Sequence, residues 1–451
     1  MDTDHLDGTM NKIYDLVIKG GTVWTTSGPS ETDVAVKNGI ISEIGSISSN
    51  SAGDVFDATG LMVLPGVVDT QVHFREPGNE QKENLESGTR AAVLGGVTAV
   101  FEMPNTNPST TNKLALEDKL TRASGRAWTE HAFFVGASAE NAETLADLEK
   151  LPGCCGVKMF MGSSTGDLLV PDDENIRRVL SNGTRRVAVH SEDEKRLIDR
   201  KDYRVDGDPS SHPLWRDEET AINATRRLIK LARDTGRRIH VLHVSTAEEV
   251  KMLADAKDIA TCEITPQHLT LISPDCYNCL GTYAQMNPPI RDQHHNTALW
   301  SGVTGGVFDV VGSDHAPHTA EEKSMAYPSS PSGMPGVQTQ LPLLLNHVNS
   351  GRMTLARLVD LVCSGPARIY GIAGKGRIAL GFDGDFTLVD MKAKHQIKAD
   401  WLVSKCGWSP FEGIDVTGWP MGTIIRGNVV MRDGDIAAAP IGKPVRFQET
   451  L

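Results

Sequence analysis

The sequence predicts an α/β protein in which a (β/α)8 barrel is accompanied by a smaller β module built from both ends of the chain. Three observations carry this. Eight short β-branched apolar runs alternate with segments of helical periodicity between residues 63 and 314. Short alternating runs broken by Gly and Asn, the texture of small antiparallel strands, fill residues 14–56 and return after about residue 374. The 451 residues accommodate one barrel of about 250 residues plus a further module.

Taken in order, the leading β segment contains DLVIKGGTVWT and DVAVKNGIISEIGS. The runs expected to form the parallel sheet are 63–69, 97–102, 131–136, 156–160, 187–190, 239–244, 260–264 and 307–314. Between them, 83–94, 218–235 and 247–257 place apolar residues at helical spacing, so their apolar faces are expected to pack on the barrel. The trailing segment, with GRIALGFDGDFTLVDM and GTIIRGNVVMRDGDIAA, carries the Asp-Gly and Gly-Asn pairs of hairpin turns. The resulting expectation is three parts: 13–62 and 371–451 forming the β module, and 63–370 the barrel.

Composition excludes several function classes. With 45 Lys+Arg against 58 Asp+Glu, the net charge of -13 repels phosphate backbones and anionic membranes, so neither nucleic acid nor a membrane is expected as a partner. No apolar run approaches the roughly 18 residues of a membrane helix, and the N-terminus is acidic without an apolar signal core. Seven scattered cysteines, an odd number, do not make a disulfide framework. A cytoplasmic location is expected. Patterned sequence begins at Ile13, which makes Met10 a second candidate start.

Metal-capable side chains fall in phase with the predicted strands. His73 follows the first run, Lys158 lies in the fourth, His190 closes the fifth, His243 sits near the end of the sixth and Asp314 closes the eighth. In a barrel all C-terminal strand ends converge on one face, so these five would share one polar cup. Nitrogen and carboxylate donors without thiolates suit Zn²⁺ or a similar ion with an open position for water. Lys158 has two readings: a neutral amine that reacts with CO2 to give a metal-bridging carbamate, or an ammonium that snorkels out or pairs with an acid.

Seven segments in this order carry a resemblance: DTQVHFREPG (69–78), MPNT (103–106), GVKMF (156–160), VHSED (189–193), LHVST (242–246), MNPPIR (286–291) and GSDHAPH (312–318). They resemble the motif set of the amidohydrolase superfamily and, more narrowly, of the dihydroorotase family. The resemblance implies a barrel with two zinc ions, flanked by a small β-sandwich formed from both chain termini. It implies that Lys158 is the carboxylated bridging lysine, that His73 holds the more buried metal and His190 and His243 the second, and that Asp314 is both ligand and catalytic base. A homo-oligomer is also expected. One departure stands out: where the family has His-x-His, this chain has Gln71-Val-His73. Strand alternation keeps residues 71 and 73 on one side, but a neutral amide is a poorer zinc ligand than imidazole.

The substrate is argued from other side chains. Dihydroorotate differs from dihydropyrimidine by a ring carboxylate, for which a guanidinium is the natural bidentate partner. Arg75 supplies it two residues beyond His73; the resemblance implies that Asn105 and His318 complete the carboxylate pocket and that Asn287 occupies a ring-recognition position. The bland readings are a salt bridge from Arg75 to Glu76 or Glu80, a turn cap for Asn105, a loop residue before two prolines for Asn287, and a surface histidine for His318. The expected reaction is reversible hydrolysis of dihydroorotate to N-carbamoyl-aspartate, which run backwards closes the ring in pyrimidine synthesis. Two alternatives stand beside it. One is a hydantoinase- or allantoinase-like cyclic amidohydrolase; the other is a dormant homologue that stabilises aspartate carbamoyltransferase, favoured by Gln71 and opposed by Lys158, His190, His243 and Asp314.

Other motifs weigh less. Cys276 and Cys279 have C-x-x-C spacing without a second pair, and Cys154 and Cys155 read as packing residues. His294 and His295 sit in a polar stretch and are expected to be exposed. The Gly- and Pro-rich stretch 327–336 is expected as a loop over the site, and the family resemblance implies that Pro335 and Gly336 meet substrate through their backbone.

Overall fold

Eight parallel strands form the centre of the molecule: β1 (Val67–Val72), β2 (Val97–Glu102), β3 (Glu130–Gly136), β4 (Cys154–Phe160), β5 (Val187–His190), β6 (Ile239–Val241), β7 (Ala260–Ile264) and β8 (Val310–Val311). The computed structural model describes residues 13–164 and 168–450; Met10 lies outside the described residues. Each strand pairs with the next in sequence order, and a parallel bridge from Val72 to His315 joins the two edges, so the sheet is a nearly closed barrel. Every residue of the eight strands is buried. Burial on both faces is why these strands read as continuous apolar runs rather than alternating ones.

The first run, 63–69, spans two strands rather than one. Met62–Pro65 belongs to a different sheet, pairing antiparallel with Phe386–Gln396 and parallel with Thr22–Thr25. The chain passes into β1 at Gly66, where an added Cβ would lie 2.5 Å from Thr98 Oγ1, so only glycine allows the crossing. At the other end, 307–314 contributes only two ladder residues, and 239–244 only three. His243 and Asp314 lie beyond the ladder with φ of 37° and 44°, bending the chain outward at the mouth.

Local chemistry sets the helix bounds. Glu218–Thr235 is capped by Asp217, whose side chain accepts from Thr220 N, and stops at Gly236 with φ of 70°. Its buried stripe of Ala221, Ile222, Ala224, Leu228 and Leu231 faces the barrel side of the molecule. Leu85–Leu94 begins after the Asn84–Ser87 capping box, two residues later than periodicity alone places it. Ala247–Ala254 begins with the Thr246–Glu249 box.

Both chain ends build the β module. A four-stranded sheet orders Ile40–Gly45, Asp33–Lys37, Tyr14–Lys19 and Ala52–Asp57. A seven-stranded sheet combines Gly28–Glu31, Thr22–Thr25 and Met62–Pro65 with Phe386–Gln396, Asp415–Ile425, Asn428–Arg432 and Asp435–Ile436. Leu16, Val34 and Phe56 share one apolar cluster with Phe386, Leu388 and Ile424, which ties the termini together. No helix among the described residues is long and apolar enough to cross a membrane.

Candidate active site

The C-terminal strand ends deliver the predicted donors to one cavity. Gln71 on β1, His73 just past it, Lys158 on β4, His190 on β5, His243 beyond β6 and Asp314 beyond β8 all line it. Asn287, Ser164, Ser332 and Gly333 line the same cavity, the last two from the loop after β8. His243 and Asp314, like Arg75 with φ of 64°, occupy the left-handed region that side chains with a Cβ rarely adopt. Three such residues at one mouth mean that the surrounding packing over-determines the aim of these side chains.

Asp314 sits at the centre. Its Oδ1 accepts from Gln71 Nε2 at 2.9 Å and lies 3.2 Å from His73 Nε2. Asn105 Oδ1 faces His73 Nδ1 at 2.9 Å, which assigns the proton to Nδ1 and turns Nε2 into the cavity. His190 Nε2 donates to Glu192 Oε2 at 2.9 Å, so His190 Nδ1 presents its lone pair to His243 Nε2 at 3.1 Å. Glu192 is in turn held by Arg216 Nε, 3.1 Å from its Oε1. This carboxylate–imidazole relay is the arrangement that orients a metal-ligating histidine and raises its basicity.

The electrostatics are those of a buried, acid-rich cup. Burial lowers the Lys158 ammonium to about 7 against the opposing pull of Asp314 and Glu263, so a reactive neutral amine is populated at neutral pH. Burial raises Asp69 to about 7 and Glu263 well above the usual carboxylate range. Asp314 goes the other way: burial opposes its ionisation, but its neighbours His73, His243 and Lys158 outweigh that and hold it well below the usual range. His73 is lowered to about 4 by burial and is neutral near pH 7, as a ligand must be.

The residues fit a divalent metal. The 3.1 Å between His190 Nδ1 and His243 Nε2 approaches the roughly 3.3 Å edge of a tetrahedron with bonds of about 2.0–2.1 Å. Gln71 Oε1 and His243 Nδ1 are buried without hydrogen-bond partners. Glu130, Asp383 and Asp385 also converge, but around the Lys375 ammonium, which lies 3.1 Å from Asp383 and contacts the other two. That cluster is a buried ion-pair network already holding its own cation.

Arg75 is buried beside this cup, and burial lowers it to about 10. Its Nε donates to Pro317 O at 3.2 Å, and its Nη2 lies 3.4 Å from His318 Nε2. His318 is buried, donating Nε2–H to Ser332 O at 3.0 Å and accepting from Lys82 Nζ at 3.2 Å. An imidazole nitrogen that already donates elsewhere is no acceptor for Arg75, so among the described residues its terminal nitrogens have no identified acceptor. Glu76 pairs instead with Arg126 at 2.7 Å, and Glu80 lies 3.8 Å from Arg122. Asn287 Oδ1 lies 3.0 Å from His212 Nε2, and its Nδ2 lies 3.4 Å from Ser164 Oγ.

Sequence reasoning missed Glu192, Arg216 and Glu263, and it did not foresee that Asn105 orients His73. The signal for Glu192 was its position two residues after His190. It also misplaced His295, which is buried and accepts from Ala247 N at 3.0 Å, while His294 is exposed. All seven cysteines are free thiols.

Comparison with known proteins agrees with this geometry. Residues 62–430 match the amidohydrolase family. Dihydroorotase from Methanosarcina mazei is 35% identical over 94% of this chain and 96% of its own. Dihydroorotase from Halobacterium salinarum is 39% identical over 85% of this chain and 89% of its own. Among solved structures, the L-hydantoinase (dihydropyrimidinase) of Arthrobacter aurescens superposes with a TM-score of 0.90 at 29% identity, covering 96% of this chain and 99% of that one. A barrel whose strand ends gather these donors, matched along nearly its whole length by such relatives, belongs to the amidohydrolase family, on its dihydroorotase branch.

Proposed function

We propose that this chain is a dihydroorotase that reversibly hydrolyses dihydroorotate to N-carbamoyl-aspartate. The observation that carries this reading over ring opening of an uncharged cyclic imide is Arg75, a buried guanidinium beside the cup whose terminal nitrogens have no identified acceptor among the described residues. A ring carboxylate satisfies it bidentately.

In this reading the cup holds two zinc ions. His73, Asp314 and the Gln71 amide oxygen would hold one and His190 and His243 the other, and Lys158, whose neutral amine can add CO2 and release a proton to solvent, would contribute a carbamate oxygen donor. When bound, such ions supply hydroxide at neutral pH and polarise the scissile carbonyl. The chain's own residues do the rest. Arg75 grips the ring carboxylate, with His318 packed beside its guanidinium, and Asn287 meets the ring edge. Asn105 keeps His73 in one tautomer, and Glu192 does the same for His190. Asp314, held ionised by its neighbours, takes the proton of the attacking nucleophile and returns it to the leaving ring nitrogen. Seven free thiols support a reducing, cytosolic setting.

The test is ring opening of dihydroorotate, dihydrouracil, hydantoin and allantoin by the purified chain. Preference for dihydroorotate is expected. Preference for a ring without the carboxylate contradicts the assignment, and no turnover on any of the four identifies a dormant homologue.

A further inference from the structure

The barrel end opposite the active site carries a feature that the reaction does not use. Arg-Arg pairs precede two neighbouring strands, Arg185-Arg186 before β5 and Arg237-Arg238 before β6. The parallel register Val187↔Ile239, with Val187 N donating to Arg238 O at 3.2 Å, sets Arg186 and Arg238 side by side. Like charges so placed across neighbouring strands are destabilising unless something compensates them. Arg185, Arg186, Arg238 and Arg368 line one cavity of about 190 Å³ with Tyr370 and, among the described residues, a single acid, Glu449. In a chain of net charge -13, four guanidiniums around one small cavity run against the general balance.

Among the described residues, internal partners leave part of this charge unanswered. Glu449 takes Arg185 Nε at 3.2 Å, and Asp360 takes Arg368 Nη1 at 3.1 Å. Arg185 is 6% exposed; its Nη1 donates to Cys154 O at 2.6 Å and its guanidinium lies over the Phe447 ring at 4.9 Å, while its Nη2 is buried without a hydrogen-bond partner. Among the described residues, neither Arg186 nor Arg238 forms an ion pair; Arg186 Nη1 reaches only Ile239 O at 3.3 Å. The cavity is smaller than the about 300–1,000 Å³ usual for larger organic ligands. It suits a compact, multiply charged oxyanion, and planar guanidinium forks match phosphate oxygens.

We propose that this cavity is a binding site for a phosphate-class anion, either inorganic phosphate or the phosphate of a phosphomonoester, at the barrel face opposite the active site. The experiment is isothermal titration of the whole protein with inorganic phosphate and, separately, with adenosine 5′-monophosphate, in chloride buffer of constant ionic strength. Saturable binding of at least one probe is expected. Arg186→Ala/Arg238→Ala should weaken it about tenfold or more while leaving turnover without phosphate unchanged. Arg368→Ala, at an exposed position, should weaken it less and serves if the double variant fails to fold. Tighter binding of the nucleotide identifies a phosphomonoester site; equal or tighter binding of phosphate identifies the free anion. No saturable binding of either probe overturns the proposal, as does affinity unchanged in both arginine variants. Binding lost in Asp314→Asn would place the anion at the active site and overturns it equally.

Discussion

Replacing Arg75 by Met isolates carboxylate recognition from hydrolysis. Methionine keeps much of the arginine stem's volume and removes the guanidinium, so packing against Pro317 and His318 is largely preserved. Arg75 is buried and, among the described residues, makes one hydrogen bond of ordinary length, Nε to Pro317 O at 3.2 Å. Its loss therefore costs little internal bonding. What the variant loses is a desolvated, charge-assisted pair with the substrate, about 2–5 kcal/mol. At about 1.4 kcal/mol per factor of ten, this is a fall of about 30- to 4,000-fold in kcat/KM for dihydroorotate. Dihydrouracil has no carboxylate to lose, so its kcat/KM should stay within a few-fold of the parent. Steady-state ring opening on both substrates measures the split. An equal fall on both would refute carboxylate recognition by Arg75 and assign it a structural part.

Four further outcomes are expected. Asp314→Asn should lower kcat by about 10²–10⁴-fold while far-UV circular dichroism stays unchanged, because it removes the proton acceptor and keeps the shape; near-normal turnover would remove Asp314 from that role. Gln71→His should raise the metal retained per chain after dialysis against a chelator, since imidazole is the better zinc ligand; unchanged retention would mean residue 71 does not reach the metal. Gly88→Ala should cost about 1–3 kcal/mol in denaturant unfolding, because the new Cβ would lie 2.3 Å from the Phe74 ring, which is fully buried next to His73; an unchanged midpoint would contradict that packing. Burial lowers His131 and His347 to about 4, so the unfolded chain takes up protons that the folded chain refuses. Stability should be highest above about pH 6.5 and fall as the pH drops towards 4, and His131→Gln should flatten that limb in pH-dependent unfolding; an identical limb in the variant would contradict it.

Where the sequence was legible, burial made it so. The stretches 97–102, 187–190 and 260–264 coincide with β2, β5 and β7 because a barrel strand covered on both faces must be apolar throughout and stops at its turns. The stretch 63–69 was misread for the same reason: the apolar run continues across Gly66 while the chain changes sheets, and periodicity carries no trace of that crossing. The candidate ligands were legible as a set because each lies at or just beyond the end of a run, and the barrel topology converts phase into proximity. Their supporting contacts were not. That Asn105 meets His73, that Arg216 locks Glu192, or that Glu263 lies near Lys158 depends on pairings between distant loops and strands, which no local spacing encodes. The buried His295 was misjudged because its polar neighbours suggested solvent, whereas its place in the first turn of the helix Gln293–Thr304 turns it inward to meet Ala247 N.

The account rests on the donors at the barrel mouth holding a metal that the reaction needs. The most direct measurement is metal content by inductively coupled plasma mass spectrometry alongside dihydroorotate turnover, on the parent chain and on a His190→Asn/His243→Asn variant. The parent is expected to carry divalent metal in stoichiometric amount and to open the ring, and the variant to lose metal and turnover together. A parent chain that turns over dihydroorotate at full rate without bound metal, or a double variant that keeps both, would contradict it.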